Sequence, residues 1–415
     1  MIRYVNSYLL FILTVLFVGY LLEVSISLLT LRSLDPVLPR EFTGIYAPGD
    51  YERSQQYTRV TTRFGVLQST FMLPLTIAFI LLGGFNYLDT WARSLGLSQI
   101  QTGLVFAGLL MLLSSLVQLP FTLYSTFVIE NRFGLNRTTP QTFFLDILKS
   151  LLLVIVLGGP ILALVLWFFQ RTGATAWFYC WLLVTAFTLL MQFLAPVIIL
   201  PLFNRFTPLA AGPLRDAITG YARQQDFPLQ GIYTMDGSRR SNRLNAFFTG
   251  FGRFRRIVFF DTLLEKMTTD EIVAILAHEM GHWKKKHIRK MTIAALLQTG
   301  FMFALLSFFM NNSELSAAFG MDHVSIYASL VFFGFLYAPI SAVLSILANS
   351  FSRRYEYEAD AYAVISTGLA EALITGLKKL CRVNKANLTP HPLQIILNYS
   401  HPPVLQRIKA IRELG

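Results

Sequence analysis

The chain has 415 residues, of which 54% are hydrophobic and only 14% are charged, and its formal net charge is +12. Soluble proteins carry about 25% charged residues, so this composition excludes an ordinary soluble domain and indicates a membrane protein. The basic residues gather beside apolar runs, which favours contact with a lipid bilayer and argues against nucleic acid as a partner.

Seven apolar runs are long enough to cross about 30 Å of hydrocarbon at about 1.5 Å per residue. These predicted spans lie near residues 7–31, 66–88, 102–128, 143–170, 175–203, 291–312 and 324–350. The first run is too long for a signal-peptide core and no cleavage site follows it, so we retain it as a span. The runs predict four domains: five spans in 1–203, a segment in 204–290 that holds His278 and His282, two spans in 291–350 and a C-terminal segment in 351–415.

The arginines of the short loops predict the orientation in the membrane. Seven arginines occupy the loops at 32–65 and 129–142, whereas the loops at 89–101, 171–174 and 313–323 hold two between them. Basic loops stay on the cytoplasmic side of a membrane. With seven spans, the N-terminus is predicted outside, and the segments 204–290 and 351–415 are both predicted in the cytoplasm.

Two charged residues of the fourth run, Asp146 and Lys149, lie where charge is costly inside a bilayer. Their separation of three residues is that of neighbours on a helix face, which predicts a local ion pair. A place on the wall of a polar chamber between the helices is an equal alternative.

Upstream of His278, the segments 243–248 and 256–260 have the pattern of two strands. Gly250 and Gly252 are predicted to form the turn between them. Such a hairpin edge would receive an extended peptide as an added strand. The alternative is that the hairpin only covers the helix that follows it.

Residues His278 to His282 read His-Glu-Met-Gly-His. Two histidines four positions apart lie above one another on a helix face, which lets two imidazoles hold one Zn²⁺. The glutamate after the first histidine, Glu279, is placed to act as general base on the attacking water. Thr268 and Glu271 form a capping box at the start of this helix. The sequence therefore predicts one catalytic zinc per chain.

The catalytic helix is predicted to continue straight into the sixth span, because no proline lies between Gly281 and that span. His282 would then lie about 14 Å from Met291, at 1.5 Å per residue, and the active site would lie near the bilayer surface. The basic residues between them favour anchoring at the interface. Contact with an acidic substrate tail or headgroup is the minor alternative.

A catalytic zinc needs a third protein ligand. The segment after the seventh span offers Glu356, Glu358 and Asp360 on a predicted helix. Glu356 and Asp360 share one face, and Glu358 points away from both. One of the pair would bind zinc and the other would orient a ligating histidine, and spacing alone does not choose between them. The alternative is a surface acidic cluster paired with Arg353 and Arg354.

Near the end of the chain, His401 stands before two prolines, and a last predicted helix carries Arg407. A histidine beside two prolines is held rigidly. A cation near the zinc would stabilise the oxyanion of a tetrahedral intermediate. Both residues are therefore candidates for a catalytic role.

Together these motifs resemble the type I CAAX prenyl protease family, the seven-span zinc endopeptidases of the a-factor-converting kind. Besides the His278–His282 motif, the matching segments are 130–139, 200–204, 245–247, 354–360 and 400–403. They follow one another in order along nearly the whole chain, which is far more specific than the histidine motif alone.

The resemblance implies roles for individual residues and a large enclosed space. The implied site residues are His278, His282 and Glu356 as zinc ligands, Glu279 as the base, Asp360 as the partner of a ligand, His401 and Arg407 as transition-state contacts, and Asn245, Ala246 and Phe247 as substrate contacts. Asn245 would clamp the substrate backbone. The resemblance also implies that the helices enclose a water-filled chamber, with the zinc at its cytoplasmic end.

We therefore predict an all-α integral membrane zinc metalloendopeptidase, with seven transmembrane helices enclosing a chamber and a cytoplasmic, gluzincin-like portion that carries a small β-hairpin. It would remove C-terminal residues from peptides or proteins, including ones prenylated at the C-terminus. Glu358 stands where eukaryotic members are expected to have glutamine, which suggests a bacterial member. The membrane would be the inner or plasma membrane in a bacterium and the endoplasmic reticulum in a eukaryote. The alternatives are a general quality-control protease resembling the heat-shock membrane protease HtpX, and a transporter or receptor with a structural zinc.

Overall fold

The computed structural model describes residues 6–249 and 255–414, and this part of the chain is mostly helical. The helices are α1 (Ser7–Arg32), α2 (Asp50–Leu81), α3 (Gly84–Ser94), α4 (Gln99–Tyr124), α5 (Pro140–Leu153), α6 (Gly159–Arg171), α7 (Ala176–Leu194), α8 (Leu200–Phe203), α9 (Pro213–Gln224), α10 (Asp261–Leu264), α11 (Thr269–Lys284), α12 (His287–Phe309), α13 (Ser313–Ala318), α14 (Ile326–Thr367), α15 (Ala370–Asn384), α16 (Pro392–Asn398) and α17 (Val404–Arg412). The strands are β1 (Phe206–Pro208), β2 (Leu229–Met235), β3 (Ala246–Thr249) and β4 (Arg255–Phe260).

Seven helical segments of the described chain are long and apolar enough to cross a membrane, which confirms the predicted number of spans. They are α1, α2, α4 with the π-helical turn that follows it, α5 joined to α6, α7 joined to α8, α12 and α14. No more than 11% of the apolar window of any span is buried inside the protein. Most of each span's surface therefore faces lipid or an internal space between the helices.

The second span starts earlier than the apolar run that predicted it. Helix α2 begins at Asp50 and ends at Leu81, whereas the predicted run covers 66–88. The first half of α2 is rich in polar residues, so only its second half has the composition of a span. After Leu81 the chain turns at Gly83, whose φ of 79° ends the helix, and α3 follows as a separate amphipathic helix.

The sixth span does not continue the catalytic helix, so that prediction is wrong. Helix α11 ends at Lys284, and Lys286 adopts a left-handed conformation with φ of 59° before α12 begins at His287. The amides of Lys285 and Lys286 close the helix end by donating to the carbonyls of Gly281 and Trp283, each at 2.9 Å. Glycine is the usual residue at such a position, so a lysine there gives no sign of the break in the sequence.

The predicted hairpin forms part of a larger sheet. Strands β3 and β4 pair antiparallel, with Phe247 opposite Val258, which confirms the two predicted strands. Their predicted turn residues Gly250 and Gly252 lie outside the described residues. Strand β2 runs parallel to β4 and antiparallel to β1, which gives a four-stranded mixed sheet in the order β1-β2-β4-β3. Strand β3 therefore lies at one edge of the sheet.

A compact apolar core surrounds the catalytic helix outside the spans. Its buried side chains include residues of α9, α10, α11, α15, α17 and the sheet. Phe259, Leu263 and Ile411 are wholly buried. Helix α14 connects this core to the membrane part because it runs without interruption from the seventh span to Thr367. The same rigid helix thus carries a span and the predicted third ligand.

Asp146 and Lys149 do not form the predicted local ion pair. The Asp146 carboxylate accepts two hydrogen bonds from Arg240, at 2.8 and 3.0 Å, and Lys149 Nζ donates to the carbonyl of Leu202 at 2.9 Å. Both side chains thus find their partners outside their own helix. Arg240 lies in the segment 204–290, the catalytic segment, and Leu202 lies in α8. The Asp146 charge, which is costly in a span, is therefore neutralised by an arginine from outside the spans, whereas Lys149 binds a backbone carbonyl of the fifth span.

Candidate active site

Helix α11 positions the two histidines of the catalytic motif. The predicted capping box is present: the Thr268 hydroxyl accepts from the backbone of Glu271, and the Glu271 carboxylate accepts from the backbone of Thr268 at 2.9 Å. The apolar face of the helix is buried in the core described above. The helical repeat then brings Nε2 of His278 and Nε2 of His282 to 3.2 Å from each other.

The helix α14 brings Glu356 to the same point. One carboxylate oxygen lies 3.5 Å from Nε2 of His278, and the other lies 3.4 Å from Nε2 of His282. Glu356 is 4% exposed, so its carboxylate is withdrawn from water. The three side chains each offer one ligand atom, and these atoms lie within 4.8 Å of one another.

The arrangement of these three side chains fits a tetrahedral metal ion. Ligand atoms at 2.0 to 2.1 Å from a tetrahedral centre lie about 3.3 Å from each other. The two histidine nitrogens, 3.2 Å apart, match that value, and each of them faces a different oxygen of the Glu356 carboxylate, at 3.5 and 3.4 Å. Two imidazole nitrogens and a carboxylate also form a donor set typical of zinc.

Asp360 and Arg407 hold the outer side of this cluster. An oxygen of Asp360 lies 2.8 Å from Nδ1 of His278, which directs the imidazole proton away from Nε2. Arg407 donates to both oxygens of Asp360, at 2.8 and 2.6 Å, and its Nη1 lies 3.1 Å from Glu356. The guanidinium thus bridges two buried carboxylates and reduces the repulsion between them.

The electrostatics of the cluster favour a bound cation. Burial lowers the pKa of His278, but its hydrogen bonds with Asp360 and Glu356 outweigh burial and raise that pKa to about 9. Burial also lowers the pKa of Arg407, yet the charge and hydrogen bonds of Asp360 raise it above its ordinary value, so the guanidinium stays charged. The carboxylates therefore attract positive charge to the nitrogen that faces the cluster, and a metal ion would replace the proton there.

His401 contacts the cluster from its exposed side, and Glu279 adjoins the cluster in the chain. Nε2 of His401 is 3.3 Å from an oxygen of Glu356, while its side chain is 65% exposed. The Ser400 hydroxyl lies 2.9 Å from Nδ1 of His401 and fixes the ring. Glu279 follows His278 on α11 and is half-buried, and no described residue makes a hydrogen bond with its carboxylate. Its carboxylate is thus available to a water or a substrate.

The predicted substrate residues lie on the edge strand. Asn245 precedes β3, its carbonyl accepts from the amide of Phe260 at 3.0 Å, and its side chain accepts from the amide of Ala246 at 2.9 Å. Phe247 is paired with Val258 within the sheet. No hydrogen bond among the described residues connects Asn245 to the histidine cluster.

Sequence reasoning missed two features of the site. Gly281 lies where α11 crosses α14: a Cβ at this position would be 3.0 Å from Cα of Ala359 and 3.1 Å from its carbonyl oxygen. His287 is 1% exposed and contacts His282 from the start of α12. The glycine was visible inside the motif, whereas the role of His287 depends on the unpredicted helix break.

Comparisons with known proteins agree with these observations along the whole chain. Residues 27–205 match the family described as CAAX prenyl protease N-terminal, five membrane helices, and residues 208–415 match peptidase family M48. The CAAX prenyl protease 1 homolog of Arabidopsis thaliana is 35% identical over 405 residues, which cover 95% of each chain.

Two fungal proteins are also similar. CAAX prenyl protease 1 of Saccharomyces cerevisiae is 34% identical over 421 residues, covering 95% of this chain and 92% of the yeast protein. The crystal structure of S. mikatae Ste24p superimposes with a TM-score of 0.93 at 32% identity, covering 98% of this chain and 99% of that one. The similarity therefore includes both the spans and the segments that carry the histidine cluster.

Proposed function

Since this chain belongs to the CAAX prenyl protease group of peptidase family M48 and is thus a multi-pass membrane metalloprotease, we propose that it uses one zinc ion to remove C-terminal residues from prenylated peptides. The observation that carries the metal proposal is the cluster of His278, His282 and Glu356: the two histidine nitrogens are 3.2 Å apart, as tetrahedral zinc ligands are, and both face the buried Glu356 carboxylate.

In the proposed mechanism, His278, His282 and Glu356 would hold the zinc, which would supply Lewis acidity toward the scissile carbonyl. Glu279, which has no described hydrogen-bond partner, takes a proton from the attacking water. The water oxygen bonds to the carbonyl carbon, the carbon–nitrogen bond breaks, and Glu279 returns the proton to the leaving amine.

His401 and Arg407 differ in their access to a substrate. His401 is mostly exposed and touches Glu356 from the open side, so we propose that it donates to the oxyanion of the tetrahedral intermediate. Arg407 is buried and occupied by Asp360 and Glu356. Its position supports a role in holding the ligand carboxylate and the Asp360 contact to His278, rather than direct contact with the peptide.

The edge position of β3 supports binding of the substrate as an added strand. Strand β3 pairs only with β4 among the described strands, so its other side can pair with an extended peptide. Asn245, Ala246 and Phe247 lie at the start of this edge, and we propose that they hold the substrate backbone.

We propose that the active site faces the cytoplasm. The loops rich in arginine lie on the same predicted side as the segments 204–290 and 351–415, which carry the histidines and Glu356. Prenylated C-termini bound to a membrane would reach a site on this side. We propose that the spans enclose a chamber; the small buried fraction of each span fits such a chamber as well as contact with lipid.

The deciding experiment is cleavage of a farnesylated CAAX peptide by detergent-purified protein, compared with the same peptide without the farnesyl group. We expect chelator-sensitive cleavage of the farnesylated peptide only. The variant Glu279→Gln should keep its zinc and lose nearly all turnover, since general base catalysis contributes about 10² to 10⁴ in rate. Equal cleavage of both peptides would point to a general membrane peptidase, and full activity of the variant would exclude the proposed base.

A further inference from the structure

The first residue of the sixth span, His287, contacts the candidate metal cluster through His282. Because α11 ends at Lys284 and Lys286 is left-handed, α12 leaves in a new direction and its first residue, His287, points back at α11. The side chain of His287 is 1% exposed although it lies among lysines and arginines. A buried histidine in such a basic segment needs a polar partner on each ring nitrogen or loses hydrogen bonds.

Both ring nitrogens of His287 have such partners. Nδ1 lies 3.1 Å from Nδ1 of His282, and Nε2 lies 3.1 Å from a carboxylate oxygen of Glu358. The imidazole is stacked on the ring of Tyr355, with centroids 4.1 Å apart and planes 11° apart. The other oxygen of Glu358 accepts from Arg354 at 3.1 Å. Arg354, Glu358 and His287 thus form a hydrogen-bonded chain that ends at His282, a candidate zinc ligand, and Tyr355 packs against it.

Hydrogen-bond chemistry fixes the proton positions along this chain. A nitrogen that binds a metal carries no proton, so His282 must have its proton on Nδ1 if its Nε2 faces the cluster. That proton points to Nδ1 of His287, which must then accept it. The remaining proton of His287 is on Nε2 and is donated to the Glu358 carboxylate, which is acceptor-only. Every donor faces an acceptor in this arrangement, and in the reverse one Glu358 and Nε2 of His287 would both be acceptors.

We propose that His287 and Glu358 are positioning residues for the metal: they hold His282 in the Nδ1-protonated tautomer and fix the direction of its Nε2 lone pair. His278 has a direct carboxylate partner in Asp360, whereas His282 reaches its carboxylate through a second imidazole. This inference rests on the proposed zinc site, but it concerns the retention of the metal and can be tested without any peptide.

The test measures the rate of zinc release from full-length, detergent-purified protein to a chromophoric chelator, and the visible spectrum of the cobalt-substituted protein. His287→Phe keeps a ring to stack on Tyr355 and removes both nitrogens. Loss of such an outer partner costs about 10- to 100-fold in metal affinity, and we expect release to accelerate by that order with a changed cobalt spectrum.

Variants of Glu358 provide the matched comparison. Glu358→Gln keeps an oxygen that accepts from Nε2 of His287 and should release zinc at nearly the wild-type rate. Glu358→Leu removes the acceptor and should release zinc several-fold faster. These two variants keep the proposal testable if His287→Phe does not fold. His391→Phe, which replaces a histidine at the start of α16, controls for the loss of an imidazole elsewhere.

The outcomes separate this inference from the proposed function. A folded His287→Phe protein with wild-type release rate and cobalt spectrum would overturn it, and so would equal release from Glu358→Gln and Glu358→Leu. A lower unfolding temperature with an unchanged spectrum would show that His287 only fills the helix junction. Failure of the wild-type protein to bind zinc at all would instead reject the proposed metal site.

Discussion

Glu356 and Glu358 lie two residues apart on α14, and the helical repeat gives them different partners. Glu356 is buried against His278 and His282, whereas Glu358 contacts His287 and is 31% exposed. Their spacing in the sequence correctly predicted that the two glutamates lie on different faces of the helix. It did not decide whether Glu356 or Asp360 is the third zinc ligand. That choice depends on how α14 crosses α11, which no local pattern contains.

The two glutamates should therefore respond differently to truncation. Glu356→Ala removes one of three candidate ligands, and we expect the purified protein to contain little zinc. Glu358→Ala should be purified with one zinc per chain, although it should lose the metal faster during dialysis against a chelator. Zinc content by atomic absorption checks both. A zinc-free Glu358→Ala beside a zinc-replete Glu356→Ala would contradict the ligand assignment.

Arg407 compensates buried negative charge, so its removal should be costly. It is 8% exposed and contacts Asp360 and Glu356, which are themselves buried. Removing one partner of a buried ion pair costs about 3 to 5 kcal/mol because the remaining charge is uncompensated. We expect Arg407→Leu to lower the free energy of unfolding by this order, as measured by denaturant titration of the zinc-free protein.

The control for this prediction is Arg412→Leu on the same helix. Arg412 pairs with Glu41 at the surface, where water replaces the lost partner, so we expect no measurable change in the free energy of unfolding. Similar destabilisation by both variants would show that α17 itself, rather than buried charge, is responsible.

At the scale of the element, the contact between α11 and α14 depends on a glycine. Gly281 allows the two backbones to approach so closely that a Cβ would be 3.0 Å from Cα of Ala359. This approach brings Glu356 within reach of both histidines. The glycine in the middle of a helix is unfavourable for the helix alone, which indicates that the packing requires it.

Gly281→Ala should therefore weaken metal binding without touching a ligand. Overpacking of this kind costs about 1 to 3 kcal/mol, which corresponds to an affinity about 5- to 150-fold lower if the whole cost falls on the cluster. Zinc affinity by chelator competition measures it. Gly220→Ala is the control, because Gly220 on α9 has open space around it and the substitution should not affect zinc. Unchanged affinity of Gly281→Ala would refute the packing argument.

The sequence predicted those elements whose formation depends on residues close to one another in the chain. The capping box at Thr268, the seven apolar runs and the strands β3 and β4 were all predicted, since each depends on residues close in the chain. Strands β1 and β2 were missed because β1 has three residues including Pro208, and Gly231 interrupts the strand pattern of β2. The break at Lys286 was missed because a lysine in the left-handed conformation has no signature.

At the scale of the whole molecule, two polar contacts join the catalytic segment to the spans. Arg240 binds Asp146 with two hydrogen bonds, and Arg243 binds Glu130 at 2.9 Å and the hydroxyl of Tyr57 at 2.8 Å. Both arginines precede β3 in the chain. The position of the edge strand relative to the membrane helices is therefore set by charges that lie about a hundred residues away in the sequence, which periodicity cannot reveal.

The Arg240–Asp146 contact can be tested by a double-mutant cycle with Asp146→Asn, Arg240→Gln and the pair of them together. Each side chain is about a fifth exposed, with 22% and 23% of its surface accessible, so water screens the contact only in part. Residues within one such network show coupling of about 0.5 to 3 kcal/mol in the free energy of unfolding. If the contact holds β3 in place, both single variants should also raise the KM for peptide while leaving the zinc content unchanged. Additive effects of the two single variants would mean that the contact contributes nothing to the docking of the catalytic segment.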